Sequence, residues 1–301
     1  MHLLKVHGAL LAVAFIYGAN YSIAKSLMPD FIGPNGFILL RIIGGFVLFF
    51  AVQGIWVREK IKSLSDYGLL ALCALLGVAT NMLFFFNGLS LTSPINASVI
   101  MTINPLMVML FSLLFLNEGL NRIKILGIAI GMTGAVAQIM DPFGVGNKIE
   151  SVNWQGDLYV LINAASYALY LVLVKPLMQR YHPLTVVKWT FTFGFLMVLP
   201  FGWSEVYEAE WQSLDLSIGW RLAFVILATT FMVYLLNAWA LKYVKSSVVG
   251  SYIYLQPLFA STIAILWAGY EFSAYMLIYA ALIFVGVYLV SFTKSKKSAH
   301  G

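Results

Sequence analysis

The sequence predicts an all-α integral membrane protein of ten transmembrane helices, built as two five-helix repeats of opposite orientation, with both termini cytoplasmic. Three observations carry that expectation. The chain is 61% hydrophobic and 10% charged over 301 residues, whereas a soluble domain carries about 25% charged residues. So much apolar surface needs lipid as its solvent. One pattern also occurs twice: Pro105 precedes Gly134 by 29 positions, and Pro257 precedes Gly286 by 29. A lone glutamate follows each proline, Glu118 and Glu271. Finally, the basic residues gather on the connections that one face of such a bundle would present.

About 30 Å of hydrocarbon needs roughly 20 helical residues. Runs of that kind cover residues 8–27, 34–56, 67–89, 93–116, 122–140, 156–178, 183–202, 219–241, 246–269 and 273–292. The first outruns an ordinary signal-peptide core and has a counterpart later in the chain, so it belongs to the fold. Pro34 and Pro183 open their helices, where a missing amide proton is harmless. Ser93, Asn121 and Ser273 stand at N-cap positions. Two connections are long, 141–155 and 203–218. The first divides the chain into a repeat over 1–141, an extracytoplasmic linker over 142–155, and a repeat over 156–301 that ends in a basic tail.

With the N-terminus inside, 13 of the 18 basic residues fall on cytoplasmic segments, as the positive-inside rule requires. An offset of 150 aligns Tyr17 with Tyr167, Lys25 with Lys175 and Gly44 with Gly194. Five helices is an odd number, so the second half enters from the opposite side. That is the inverted repeat of alternating-access carriers.

A mid-helix proline, a boundary glutamate and a closing Gly-rich helix in each half (Pro105, Glu118 and Gly127–Gly131–Gly134; Pro257, Glu271 and Gly286) resemble the EamA domain. Two such domains resemble the drug/metabolite transporter superfamily over about residues 8–292. The resemblance implies a secondary transporter or exporter of small metabolites, with amino acids often among the cargo, in the inner (plasma) membrane. An importer of anionic metabolites is the alternative within transport. A scaffold or receptor would have little use for inverted repeats or a polar midplane.

Other chemistries find no support in the residues. The histidines, His2, His7, His182 and His300, lie at termini or helix ends, with no metal-ligand pair at helical spacing. No ATPase phosphate loop, partnered nucleophile or polar catalytic cluster is present, so neither an enzyme nor a cofactor is expected. The net charge of +6 forms no basic stripe with interleaved aromatics, so nucleic acid is not an expected partner. The expected partners are a small-molecule solute and the bilayer. Gly127 and Gly131 form a close-approach face that serves either bundle packing or a homodimer. Cys73, the single cysteine, forms no internal disulfide.

The acids Asp30, Asp66, Glu118, Asp141, Asp157 and Glu271 fall at helix ends, so no buried proton-coupling carboxylate is expected. Facilitated diffusion, or coupling through Glu118 or Glu271, remains; helix capping is the plainer role for those two. What the membrane interior offers is uncharged polarity. The candidate solute-binding residues are Asn20, Tyr21, Asn81, Asn104, Tyr167, Tyr170, Asn237, Tyr252 and Gln256, with Asn96, Asn163 and Tyr254 nearby in sequence. Singly, each serves as well for helix–helix contact. Collectively they fall on helices 1, 3 and 4 and on their counterparts 6, 8 and 9. Pro105 and Pro257 are the candidate hinges, since each removes a helical hydrogen bond.

Arg41 completes the candidate set. It lies seven residues after Pro34, about 10 Å along the helix at 1.5 Å per residue. A guanidinium at that depth faces protein or water, and its planar fork suits a carboxylate. Pairing with Asp30 or lipid headgroups is the other reading. Lys188 stands near the opposite mouth, where snorkelling is its simplest role.

Overall fold

The computed structural model describes residues 2–57, 59–116, 122–139, 154–240, 243, 252–269 and 274–292. These are all-helical, with no strand among the described residues. Six helices are long and apolar enough to cross a membrane: Leu4–Lys25, Pro34–Trp56, Leu64–Leu91, Trp154–Arg180, Pro183–Glu208 and Leu216–Asn237. Four shorter apolar helices accompany them: Pro94–Val108, Ile125–Gly134, Gln256–Trp267 and Leu277–Gly286.

Local chemistry explains the ends. Helix α1 is His2–Lys25 and α2 is Pro34–Trp56, with Pro34 in its first turn. The next unit is α3 (Leu64–Ala74), a π-helical segment (Leu75–Thr80) and α4 (Asn81–Leu91). Ser63 caps α3 by accepting from the Ser65 amide. Ser93 caps α5 (Pro94–Met101) by accepting from Asn96. The chain turns through Thr102 and Ile103 before α6 (Asn104–Leu116), so Pro105 sits in a first turn rather than mid-helix. Helix α7 follows over Arg122–Ile139.

The second half opens with α8 (Trp154–Leu173), which takes in the last two residues of the expected linker, then α9 (Lys175–Arg180). Helix α10 (Pro183–Glu208) continues well past residue 202 and contains Pro200. The expected loop over 203–218 is therefore half helix. Asp215 caps α11 (Leu216–Ala223), which runs through a second π-helical segment (Phe224–Met232) into α12 (Val233–Ala240). A 3-10 turn, Tyr252–Leu255, precedes α13 (Gln256–Ala268), again with its proline, Pro257, in the first turn. Helix α14 is Ala274–Phe292. Glu118, Glu271, Asn121 and Ser273 lie outside the described residues.

The principal pairings join the halves: α2 with α10, α7 with α14, α4 with α8, α1 with α12 and α13, and α6 with α8. The Gly-x-x-x-Gly face of α7 is used inside the bundle. A Cβ on Gly286 would come within 2.5 Å of the Gly127 carbonyl oxygen and 2.6 Å of the Gly131 nitrogen. Only glycine permits that backbone approach. The main core gathers Phe37, Phe49, Phe86 and Phe191, while Leu114, Leu196, Leu258 and Leu266 stand exposed around the outside. Exposed leucines of this kind are what a lipid-facing surface requires.

Candidate functional site

The two π-helical segments place the central groups. Their extra residue per turn shifts the hydrogen-bonding register and frees carbonyls, a feature often met at functional sites. In the first, the Leu76 carbonyl accepts from the Ser166 hydroxyl at 2.6 Å. The carbonyl of Asn81, just after it, accepts from Asn163 Nδ2 at 2.7 Å. Gly77 lies flat against Tyr170, leaving no room for a Cβ, which would sit 2.5 Å from the ring. In the second, the Thr230 hydroxyl donates to the Val225 carbonyl at 3.0 Å and accepts from Arg41 Nε at 2.6 Å.

Arg41 is 6% exposed. Its guanidinium lies 5.2 Å above the Phe86 ring, with Tyr17 and Tyr234 within electrostatic range. It forms no ion pair with a described carboxylate. Cation–π contact contributes about 0.5–2 kcal/mol, whereas desolvating an unpaired ion costs several. Phe86 and Thr230 are the described contacts that offset part of that cost.

Phenols surround this charge. Tyr167 and Tyr170 lie 5.7 Å apart at 31°, and both are within electrostatic range of Tyr234. Tyr234 packs against Phe49 and Phe191, at 5.8 and 5.6 Å. Tyr17, Tyr167 and Tyr234 are deep in the bundle yet keep accessible surface.

The remaining candidates divide. Tyr21 is buried and donates to Gln256 Oε1 at 3.4 Å. Asn20 is buried, and Asn237 half-buried, each with an unpartnered Oδ1. The amide of Asn104 donates to the Ala164 carbonyl at 3.1 Å, an inter-helix tie. Tyr252 instead joins a separate cluster with Val6, Leu10 and Ala240, its hydroxyl 2.7 Å from His7 Nδ1. The side chain of Tyr254 is outside the described set. Lys188 donates to Gln53 at 3.1 Å and lies 3.9 Å over the Phe50 ring, so it is held by protein.

Sequence reasoning missed Thr230, Phe86 and Tyr234, which sit in apolar runs without any distinguishing spacing. Tyr17 was visible only as a repeat partner of Tyr167. It also missed a buried carboxyl. Asp157 is 0% exposed, because Gly88 and Gly156 let α4 and α8 close over it.

On the side of Asp66, that carboxylate is buried and pairs with Arg180 at 2.5 Å. It also accepts from the Tyr181 hydroxyl at 2.7 Å. Glu205 accepts from Asn35 at 2.6 Å and from the Gly36 amide at 2.8 Å, while Asn87 donates to Asn35 at 2.8 Å.

The described residues form a polytopic helical bundle with six helices long and apolar enough to cross a membrane. The chain belongs to the EamA-like transporter family, whose profile matches twice, over residues 4–139 and 154–292. Among its relatives is the uncharacterized transporter YyaM of Bacillus subtilis (strain 168), 24% identical over 96% of this chain and 94% of that one. The WAT1-related protein At3g02690, chloroplastic, of Arabidopsis thaliana is 25% identical over 94% of this chain and 68% of its own length. A solved crystal structure shares the fold with a TM-score of 0.62, at 17% identity, over 95% of this chain and 97% of the other.

Proposed function

We propose that this protein is a secondary transporter, not an enzyme, that exports small carboxylate-bearing metabolites, amino acids foremost, by alternating access. The observation that carries this reading is Arg41: a buried guanidinium without a described carboxylate partner, within electrostatic range of the Tyr17 and Tyr234 phenols. The carboxylate docks on the Arg41 fork. Tyr17, Tyr167, Tyr170 and Tyr234 supply amphipathic walls for the rest of the solute.

Alternating access rests on ten helices in two inverted repeats. In its favour, the π-helical segments begin 149 positions apart, at Leu75 and Phe224. A turn at Thr102 and Ile103 precedes the helix of Pro105, and a 3-10 turn precedes that of Pro257. The pairing of α4 with α8 also has its counterpart in α12 with α1. Both termini face the cytoplasm in this arrangement, the protein resides in the plasma membrane, and Pro105 and Pro257 act as hinges. Import of anionic metabolites would use the same Arg41 chemistry in the other direction.

Proteoliposome flux tests the reading. Losing a charge-assisted hydrogen bond costs about 1.5–3 kcal/mol, or roughly 10- to 100-fold. Arg41→Gln should slow amino acids by that factor and slow their methyl esters much less. Equal losses would make Arg41 structural. No wild-type flux above protein-free vesicles, across amino acids, nucleosides and organic acids, would sink transport itself.

A further inference from the structure

Asp157 lies in the first turn of α8 and is wholly enclosed. Its Oδ1 accepts from the Thr92 hydroxyl, and Asn96 at the start of α5 neighbours the same carboxyl. Its Oδ2 has no hydrogen-bond partner. Helix α4 covers it from the side where Gly156 meets the Gly88 carbonyl, at 2.9 Å from an added Cβ. No described cation acts on it; Lys25, the basic residue at the end of α1, donates to the Ser90 carbonyl at 2.8 Å. An ionised carboxylate there would have one hydroxyl, one amide and the start of a helix for support. A helix N-terminus contributes about 0.3–2 kcal/mol. Burying an unpaired carboxylate costs several kcal/mol even after relaxation. The penalty exceeds the support.

We propose that Asp157 is a proton-binding site whose occupancy governs sealing of the seam where α4 and α5 meet α8. When the seam closes, the carboxylate takes a proton from the adjoining water, forming an O–H bond at Oδ2. When the seam opens and water enters, that bond breaks and the proton returns to the same water. Because the sealed form binds the proton more tightly, sealing is favoured as pH falls on that side. A ligand that prefers one conformation shifts the equilibrium by its differential affinity, and here the ligand is a proton. The reading of this chain as a carrier gives the seam its purpose, but the protonation itself does not depend on it. At the offset of 150, the counterpart of Asp157 is His7, at the opposite end of the bundle and 2.7 Å from the Tyr252 hydroxyl. Its substitution serves as a control for the site.

Infrared difference spectroscopy on the full chain in lipid vesicles tests the site without any solute. At mildly acidic pH the wild type should show a protonated-carboxyl C=O band that fades as pH rises, disappears in Asp157→Asn and persists in His7→Gln. Asp157→Glu should shift the band rather than abolish it, which covers the case where the amide variant folds poorly. Thr92→Val removes a donor to the carboxylate and should move the band's titration to higher pH. Absence of a wild-type band sensitive to Asp157 overturns the proposal. So does a band that sodium chloride removes and choline chloride leaves, since the site would then hold a metal cation. Solute exchange in the same vesicles, with pH varied on each side separately, should respond to one side only and lose that response in Asp157→Asn. An unchanged pH profile in that variant also overturns the proposal, whereas absence of wild-type exchange would count against transport and leave the band to decide.

Discussion

Gly77 and Tyr170 show how a single missing methyl group shapes the interior. The Tyr170 ring occupies the volume that a Gly77 side chain would need, 2.5 Å from the built Cβ. Inserting a carbon into a packed site costs about 1–3 kcal/mol. Gly77→Ala should therefore lower the melting temperature in detergent, and the loss should largely vanish in a Tyr170→Ala background. If the two losses simply add, the residues are not in contact. Tyr167, only partly buried and 5.7 Å from the Tyr170 ring, should behave differently. Tyr167→Ala should cut flux more than it cuts the amount of folded protein in the membrane; equal falls in both would make Tyr167 a packing residue.

At the level of elements, breaks in helices matter more than helices. The turn at Thr102 and Ile103 separates α5 from α6, and the 3-10 turn at Tyr252–Leu255 precedes α13. Proline in a first turn imposes little strain of its own. Restoring the amide proton by Pro105→Ala or Pro257→Ala lets the two pieces fuse. Flux should fall several-fold while thermal stability is unchanged or higher; undiminished flux would remove the hinge role.

The Asp66 network is a second such device, tying the start of α3 to the end of α9. The Tyr181 hydroxyl donates to the Asp66 carboxylate, and that bond raises the tyrosine pKa above its ordinary value of 10.0. The folded state thus holds the phenolic proton more tightly than the unfolded state does. This contribution is complete at neutral pH and fades as pH rises through the elevated folded value. Thermal melts should show a loss of stability on the alkaline side that is smaller in Tyr181→Phe.

These elements also show which features could be read from sequence. Six of the expected spans were legible because apolar runs of sufficient length have few other destinations, and the turns at Thr102–Ile103 and Tyr252–Leu255 because each precedes a proline. The π-helical segments carry no comparable mark, since Leu75–Thr80 and Phe224–Met232 read as ordinary apolar helix. Thr230 was illegible for the same reason: only the altered register turns its hydroxyl toward Arg41. Arg41 itself stood out, because an unaccompanied charge deep in an apolar run demands an explanation. Asp157 did not, because position near a helix end suggests solvent, and burial there depends on Gly88 and Gly156 meeting in space.

For the whole molecule, the decisive question is which connections share a face of the membrane. Helices α2 and α10 pair with one another, as do α7 and α14, and in an inverted repeat each pair would be two copies of one helix meeting at the pseudo-symmetry axis. Inversion requires an odd number of crossings per half, so the connection after the fifth span must lie opposite the N-terminus. By the positive-inside rule the expected cytoplasmic side is that of the N-terminus. Chemical labelling can check both statements at once, because Cys73 is the single cysteine and is buried. In a cysteine-free background, cysteines replacing Lys60, Asn121 and Lys296 should resist a membrane-impermeant thiol reagent in intact cells. Those replacing Asn147 and Glu208 should react. Permeabilised cells should label all five, which excludes burial as the cause of protection. A fully reversed pattern would overturn the orientation while keeping the inversion. Reaction at Lys296 with protection at Lys60 would mean an odd total number of crossings, and the two-repeat architecture would fall.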